Sequence, residues 1–206
     1  GNRDGTLLAR EARMSLVPGS DRSRPGVKLT YDDFLLFPDD GKRHELIDGE
    51  HYVTPSPNLK HQAVSGNLHG LIWSYLQDHD TGKVYSAPLD VVFSHFDVVE
   101  PDLLFVSSAR CEVLTSKNVQ GAPDLVVEIG SPSTRRRDEK LKHQLYERFN
   151  VSEYWVVDPD IDVVRVYRLQ NGKYLRALEL LLDHGDVLNT PLLPGLELPL
   201  SRIFAE

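Results

Sequence analysis

The chain has 206 residues, enough for one sizeable domain, and its 40% hydrophobic and 26% charged residues are ordinary for a globular protein. No apolar run approaches the roughly 20 residues that a membrane-spanning helix needs. The single cysteine, Cys111, excludes an internal disulfide and a cysteine-rich zinc site. Charges at Arg10 and Glu11 interrupt the N-terminal apolar residues too soon for a secretory signal. We therefore expect a cytoplasmic protein.

The net charge of -8 argues against a protein whose main task is to grip duplex DNA, because such proteins are usually basic. A site built from carboxylates that a metal ion later neutralises would explain part of this excess. The basic residues also cluster in one segment, at Arg135, Arg136, Arg137, Lys140 and Lys142.

In chain order, residues 1–27 mix charges with proline and glycine and are predicted to form an arm. Residues 28–206 are predicted to form a single domain. Thr30, followed three positions later by Asp33, indicates the start of a short helix over residues 31–37. Asp48-Gly49 suits a tight turn and predicts a hairpin of residues 44–47 and 51–54. Apolar residues at steps of three and four predict a long helix over residues 61–77.

The second half alternates strand-like runs with one more helix. Strands are predicted over residues 83–87, 90–93, 102–106 and 124–129. A loop follows at residues 131–134, then a helix over residues 134–149, and then strands over 153–158, 163–169 and 174–178. The Leu- and Pro-rich tail, residues 183–204, is predicted to be extended or looped. This order predicts an α/β (α+β) fold with a central mixed β-sheet flanked by helices.

Two carboxylates occupy positions where a core strand should be apolar. Asp102 opens one apolar run, and Glu128 lies inside another. A buried carboxylate needs a cation, a proton or several hydrogen-bond donors. Asp124 lies about 13 Å along the strand from Glu128 and is too far to share an ion with it. The pair Asp102 and Glu128 therefore suggests a hard-oxygen site for Mg²⁺ or Mn²⁺.

A basic group can join these acids from the second helix. Asp138, Lys142 and Tyr146 follow one another at steps of four and share a helix face beside the apolar stripe of Leu141 and Leu145. Lys142 is thus placed at the boundary between core and surface, whereas Lys140 points elsewhere. The alternative is an ordinary surface pair of Asp138 and Lys142.

Five segments containing these residues resemble, in the same order, those of the Uma-two family of restriction-endonuclease-like proteins, once classed only as a domain of unknown function. They are HELIDGE at residues 44–50, VEPDLLFV at 99–106, APDLVVEI at 122–129, SPSTRRRD at 131–138 and VSEYWVVDP at 151–159. The resemblance extends from about residue 31 to residue 204. It implies the PD-(D/E)XK nuclease fold and hydrolysis of phosphodiester bonds. The resemblance itself names no substrate, and we expect DNA.

The resemblance also implies roles for individual residues. Asp102 and Glu128 match the two strand acids, and Glu45 matches an acid contributed early in the chain, so these three are the expected metal ligands. Lysine usually stands two residues after the second acid, where this chain has Gly130. Lys142 matches the lysine that related chains supply from the following helix. From the residues themselves, the expected substrate contacts are Arg135, Arg136, His61 and Tyr146. The alternatives are a solvated basic loop for the two arginines, a capping or surface histidine for His61, and for Tyr146 a hydrogen bond inside the site or a place at the edge of the core.

Two other readings stay open, namely a catalytically inactive binding or regulatory module with the same fold and a hydrolase of smaller phosphodiesters. A homodimer is also expected. The hydrolytic hypothesis requires that Asp102 and Glu128 meet near Lys142, and that no arginine permanently neutralises either acid.

Overall fold

A computed structural model describes residues 26–54, 56–130 and 132–206, and the side chains of residues 132–138 lie outside that description. The predicted arm lies almost wholly outside the described residues, so the domain boundary at residue 28 stays a prediction. None of the described helices is both long and apolar enough to cross a bilayer.

The described residues form four α-helices, fourteen strands and two short 3₁₀ helices, Ser108–Val113 and Leu182–His184. In chain order, the helices and strands are α1 (Tyr31–Phe34), β1 (Arg43–Ile47), β2 (Glu50–Thr54), α2 (Leu59–Asp78), β3 (Gly82–Ser86), β4 (Val91–Ser94), β5 (Asp97–Val99), β6 (Leu103–Ser107), β7 (Val119–Gln120), β8 (Leu125–Ile129), α3 (Pro132–Arg148), β9 (Glu153–Asp158), β10 (Val163–Gln170), β11 (Lys173–Tyr174), β12 (Leu178–Leu181), β13 (Val187–Leu188), β14 (Leu198–Pro199) and α4 (Leu200–Ile203).

Local signals explain how the first elements begin and turn. The Thr30 hydroxyl accepts a hydrogen bond from the Asp33 N–H, and the Asp33 carboxylate accepts one from the Thr30 N–H, so a capping box starts α1. The turn between β1 and β2 has positive φ at both Asp48 and Gly49, as a type I′ turn requires. The predicted hairpin is therefore confirmed, while α1 ends at Phe34 rather than at residue 37.

The larger sheet is mixed, as predicted. Its strand order in the described part is β11-β10-β9-β8-β6-β3, with β12 also pairing with β10. Only the β8–β9 pair is parallel among these described pairs, and α3 makes the crossover that parallel neighbours need. A second sheet has the order β2-β1-β5-β4-β7. The predicted fold class, a mixed β-sheet flanked by helices, is confirmed.

The larger sheet buries both faces, because its strands are apolar on both sides. On one face, α2 and the C-terminal segment pack against Phe105, Val127 and Trp155. On the other face, α3 and the smaller sheet pack against Val126 and Tyr154. Glu128 follows Val126 by two residues and thus projects toward the α3 side. The two aromatic residues of β9, Tyr154 and Trp155, are buried.

Besides the end of α1, four predictions about elements were incomplete or wrong. The strand predicted over residues 174–178 is interrupted, because β11 ends at Tyr174 and β12 begins only at Leu178. The segment at 131–134 was predicted as a loop, but α3 already begins at Pro132, because proline suits the first turn of a helix. The two short strands β5 and β7 were not predicted. The tail forms β13, β14 and α4, and its apolar side chains join the core beneath α2.

Candidate active site

Lys142 connects two strand carboxylates in the interior. Its ammonium donates to Oε1 of Glu45 at 2.7 Å and to Oε1 of Glu128 at 2.8 Å. Because β1, β8 and α3 supply one residue each, only the assembled fold brings the three together. All three side chains are buried. Burial alone would lower the pKa of Lys142, but Glu128 and Glu45 outweigh it and raise this pKa above its ordinary value. Lys142 is therefore a cation.

Two carboxylates share this one ammonium, so the cluster keeps an excess of negative charge. Burial raises the pKa of Glu45, Lys142 opposes that shift, and the neighbouring Glu128 adds to it. A second cation beside these two acids would relieve the repulsion between them.

Tyr146 fixes the orientation of Glu128. Its hydroxyl donates to Glu128 Oε1 at 2.5 Å, beside the bond from Lys142 to the same oxygen. Burial, with Glu128 next in effect, raises the pKa of Tyr146 well above its ordinary value, so the phenol keeps its proton. Among the described residues, Oε2 of Glu128 has no hydrogen-bond donor. The structure thus places Tyr146, predicted as a substrate contact, on Glu128.

Asp102 meets a different set of groups. The β6–β8 register pairs Leu103 with Val127, and continuing it by one residue places Asp102 opposite Glu128. Oδ1 of Asp102 lies 2.6 Å from Nη1 of Arg43 and 3.0 Å from Nε2 of His61, while Oδ2 accepts from the backbone N–H of Ile129 at 2.6 Å. Burial would raise the pKa of Asp102, but His61 and Arg43 together hold it well below its usual range.

An arginine therefore pairs with Asp102, so the condition that the hydrolytic hypothesis set for the pair of Asp102 and Glu128 is not met in this arrangement. Both oxygens of Asp102 are engaged by donors in this arrangement. Direct metal binding by Asp102 would require some of these donors to move. Its role as a metal ligand stays a prediction.

Arg43 is the residue that sequence analysis missed. Its Nη1 holds Asp102, and its Nε lies 3.1 Å from Oε1 of Glu100. The available signal was its position two residues before Glu45 on β1, because residues two apart share a face of a strand.

These residues surround a cavity lined by, among others, Arg43, Glu45, Glu128, Gly130, Glu139 and Lys142, here called the acidic pocket. Gly130 stands where the family pattern usually has lysine, and the Lys142 amine reaches Glu128 from α3 instead. Among the described residues, the second carboxylate oxygens of Glu45 and Glu128 have no hydrogen-bond donor, and both residues line the acidic pocket.

The fit of a divalent cation rests on these two oxygens. Within the described part of the chain, no three histidine, cysteine or acidic residues are grouped so as to hold a metal. Mg²⁺, however, is usually bound through one or two carboxylates together with waters and substrate phosphates. Glu45 and Glu128 fit that kind of site, whereas Asp102 offers no free oxygen in this arrangement.

The remaining predicted site residues have varied positions. His61 is held at the start of α2, where its backbone N–H donates to Asn58, and its Nδ1 is buried without a hydrogen-bond partner among the described residues. The side chains of Arg135 and Arg136 lie outside the described part, so their predicted substrate contact stays a prediction. Asp124, predicted to be structural, accepts from the backbone N–H of Ser107 at 2.7 Å.

Glu100 gives the site a measurable dependence on pH. Burial raises the pKa of Glu100 to about 7, although Arg43 opposes the shift. Because the folded pKa exceeds the ordinary value, the stability from this group is complete below about pH 4.5 and is lost as pH rises through about 7. Between about pH 5 and about pH 8, the parent protein should lose about 1–2 kcal/mol of stability through this carboxyl. We expect Glu100→Gln to abolish that part of the loss.

Urea unfolding at the two pH values without divalent cations measures this difference. The exposed Glu112→Gln serves as control and should keep the pH dependence of the parent protein. If Glu100→Gln loses as much stability between the two pH values as the parent does, then the Glu100 carboxyl is ionised at neutral pH.

The chain is similar to known proteins in sequence and in fold. The model of the family described as "Uma2: Putative restriction endonuclease" matches residues 31–201. A search of curated proteins finds no significant match. The crystal structure of a protein described as a "putative nuclease belonging to DUF820" from Anabaena variabilis has a TM-score of 0.73 and 22% sequence identity, covering 86% of this chain and 98% of that one. At this identity the likeness supports the fold.

Proposed function

The chain belongs to the Uma2 family, and from that premise we propose that it is a Mg²⁺- or Mn²⁺-dependent endonuclease that hydrolyses phosphodiester bonds in DNA at the acidic pocket. One observation carries the proposal. A buried lysine bridges two buried carboxylates that line the same cavity, and each carboxylate keeps one oxygen without a hydrogen-bond donor among the described residues. This combination of acids and lysine suits the displacement of an oxygen at phosphorus.

Each group has a distinct task in this proposal. Glu45 and Glu128 hold the divalent cation, which when bound polarises the phosphate and lowers the pKa of a water. Tyr146 and Lys142 both donate to one oxygen of Glu128, which leaves its other oxygen free for the cation. The ammonium of Lys142 also places positive charge where the phosphate gains negative charge during reaction.

Cation binding and cleavage can be tested on one pair of variants. We expect Mn²⁺ to bind the parent protein in calorimetry and supercoiled plasmid to be cut in its presence. Glu128→Gln should reduce cleavage by about 100-fold or more, because glutamine can still accept from Lys142 and Tyr146 but carries no charge for the cation. Glu179→Gln, which alters an exposed ion pair with Arg165, should leave both measurements unchanged.

The inactive-module reading is favoured by one observation, the engagement of Asp102 by Arg43. If the parent protein binds neither Mn²⁺ nor Mg²⁺, the hydrolase proposal fails and that reading remains. If a cation binds but plasmid stays intact, single-stranded DNA and cyclic dinucleotides test for a hydrolase of smaller phosphodiesters.

We also propose that the protein acts as a homodimer, because nucleases that cut both strands of a duplex often work in pairs. Analytical ultracentrifugation with and without DNA tests this, and a monomer under both conditions contradicts it. Cytoplasmic location stays a prediction.

A further inference from the structure

Arg43 is anchored on one side of its guanidinium and open on the other. Nη1 is bound to Asp102 and Nε is paired with Glu100. Among the described residues, Nη2 has no hydrogen-bond acceptor, and the side chain lines the acidic pocket with 16% of its surface exposed. One edge of the guanidinium is therefore available to a ligand in the pocket.

The anchor on Asp102 is rigid because three separate segments converge on this carboxylate. Arg43 comes from β1, His61 from the start of α2 and the Ile129 N–H from the end of β8. A guanidinium held in this way loses little conformational freedom when it binds a ligand. Its planar set of donors matches the oxygens of a phosphate.

Lys142 is less able than Arg43 to bind a phosphate. Its ammonium already serves Glu45 and Glu128 at hydrogen-bond distance. A phosphate that recruited Lys142 would have to compete with these two carboxylates, whereas Nη2 of Arg43 has no competitor among the described residues.

We propose that Arg43 binds a phosphate group of the substrate through Nη2, and that Asp102 and Glu100 are positioning residues that hold its guanidinium. The inference rests on the proposed function, because it takes the phosphodiester of that reaction as the ligand. Asp102 thus acts on the substrate through Arg43, without needing to bind the cation.

This arrangement has an electrostatic requirement. Around Arg43 and Lys142 stand the four carboxyl groups of Glu45, Glu100, Asp102 and Glu128, so acids outnumber bases. A phosphate would be repelled until a divalent cation joins Glu45 and Glu128. Binding through Arg43 should therefore depend on a divalent cation.

Fluorescence anisotropy with a short labelled DNA duplex in Ca²⁺, at several salt concentrations, tests the proposal by binding rather than by activity. We expect Arg43→Gln to weaken DNA binding about tenfold and to reduce the slope of log affinity against log salt by about 1, because one phosphate contact is lost. Arg43→Lys should give a smaller loss, because lysine keeps the positive charge. A loss should remain, because one ammonium cannot hold Asp102 and reach a phosphate together. The control Arg165→Gln removes an arginine from an ion pair outside the pocket and should bind as the parent does. Removal of Ca²⁺ with a chelator should weaken DNA binding by the parent more than it weakens DNA binding by Arg43→Gln.

Parent-like DNA affinity and salt slope in folded Arg43→Gln would overturn the inference, because Arg43 would then only neutralise Asp102. Should Arg43→Gln fail to fold, parent-like binding by Arg43→Lys would overturn it equally.

A second experiment separates this inference from the proposed function. Binding of dimethyl phosphate is followed by phosphorus NMR in Ca²⁺. If the parent binds dimethyl phosphate, Arg43→Lys weakens that binding and the parent cleaves no DNA, then the inference is supported while the nuclease proposal fails. If the parent binds neither dimethyl phosphate nor DNA, the inference itself is overturned.

Discussion

Replacing Lys142 by methionine should lower the free energy of unfolding by about 3–5 kcal/mol near neutral pH, the usual effect of removing one partner from a buried ion pair. Methionine preserves the apolar stem of the side chain but leaves Glu45 and Glu128 buried side by side without their shared ammonium. The loss therefore comes from charge rather than from packing. Urea unfolding followed by tryptophan fluorescence measures it.

Lys140→Met is a matched control, since Lys140 lies on the same helix but is exposed. We expect it to change stability by no more than about 0.5 kcal/mol. The effect of Lys142→Met should also shrink as pH falls, because burial raises the pKa of Glu45 and protonation of that carboxyl removes the repulsion that the ammonium had balanced. In the parent protein, the raised pKa of Lys142 means that its stabilisation is complete below the ordinary lysine value of 10.5 and is lost only above it. Equal stability of Lys142→Met and parent at neutral pH would mean that Lys142 does not hold these acids.

Replacing Asp102 by alanine should have a comparable effect, about 3–5 kcal/mol, because Arg43 would lose its closest counter-ion in a largely buried position. Asp102→Asn should lose less, about 2 kcal/mol, since the amide keeps the size and one accepting oxygen but not the charge. Burial opposes ionisation of Asp102, yet His61 and Arg43 depress its pKa. Its stabilisation is therefore present above the ordinary value of 3.8 and is lost as pH falls toward the depressed value.

The difference between parent and Asp102→Asn should accordingly be largest near neutral pH and small in strong acid. The exposed Asp39→Asn serves as control and should show neither effect. The same variant also separates two roles of Asp102. Mn²⁺ affinity within about threefold of the parent agrees with a role in holding Arg43 alone, whereas a loss well beyond about 100-fold, more than the loss of a residue that only orients a ligand, identifies a direct ligand.

Among the candidate site residues, sequence alone singled out those whose signal is local. Glu128 stood out because a charged residue interrupts an apolar strand, and Lys142 was preferred over Lys140 because helical spacing placed it beside the apolar stripe. The structure buries Lys142 and leaves Lys140 exposed, in line with that spacing. The family motifs added Glu45, whose position in a hairpin strand has no local sign of function.

The partners of these charges were not predictable in the same way. Arg43 and Asp102 are 59 residues apart, and Lys142 and Glu45 are 97 residues apart. Which cation meets which acid depends on strand order and on the placement of α3, and several pairings satisfy the same sequence. Asp102 was therefore expected to face a metal, while the fold places it against an arginine and a histidine.

The secondary structure shows the same division between what the sequence determines and what the tertiary structure decides. Sequence by itself determined the capped start of α1, the Asp48-Gly49 turn, the long amphipathic α2 and the apolar strands β8 and β9, because each depends on neighbours within a few residues. Only the tertiary structure decided the short strands β5 and β7, the burial of the C-terminal segment beneath α2 and the pairing of charges around the acidic pocket. Short strands and isolated ion pairs carry too little local free energy to form alone, so they exist only where the rest of the fold brings their partners to them.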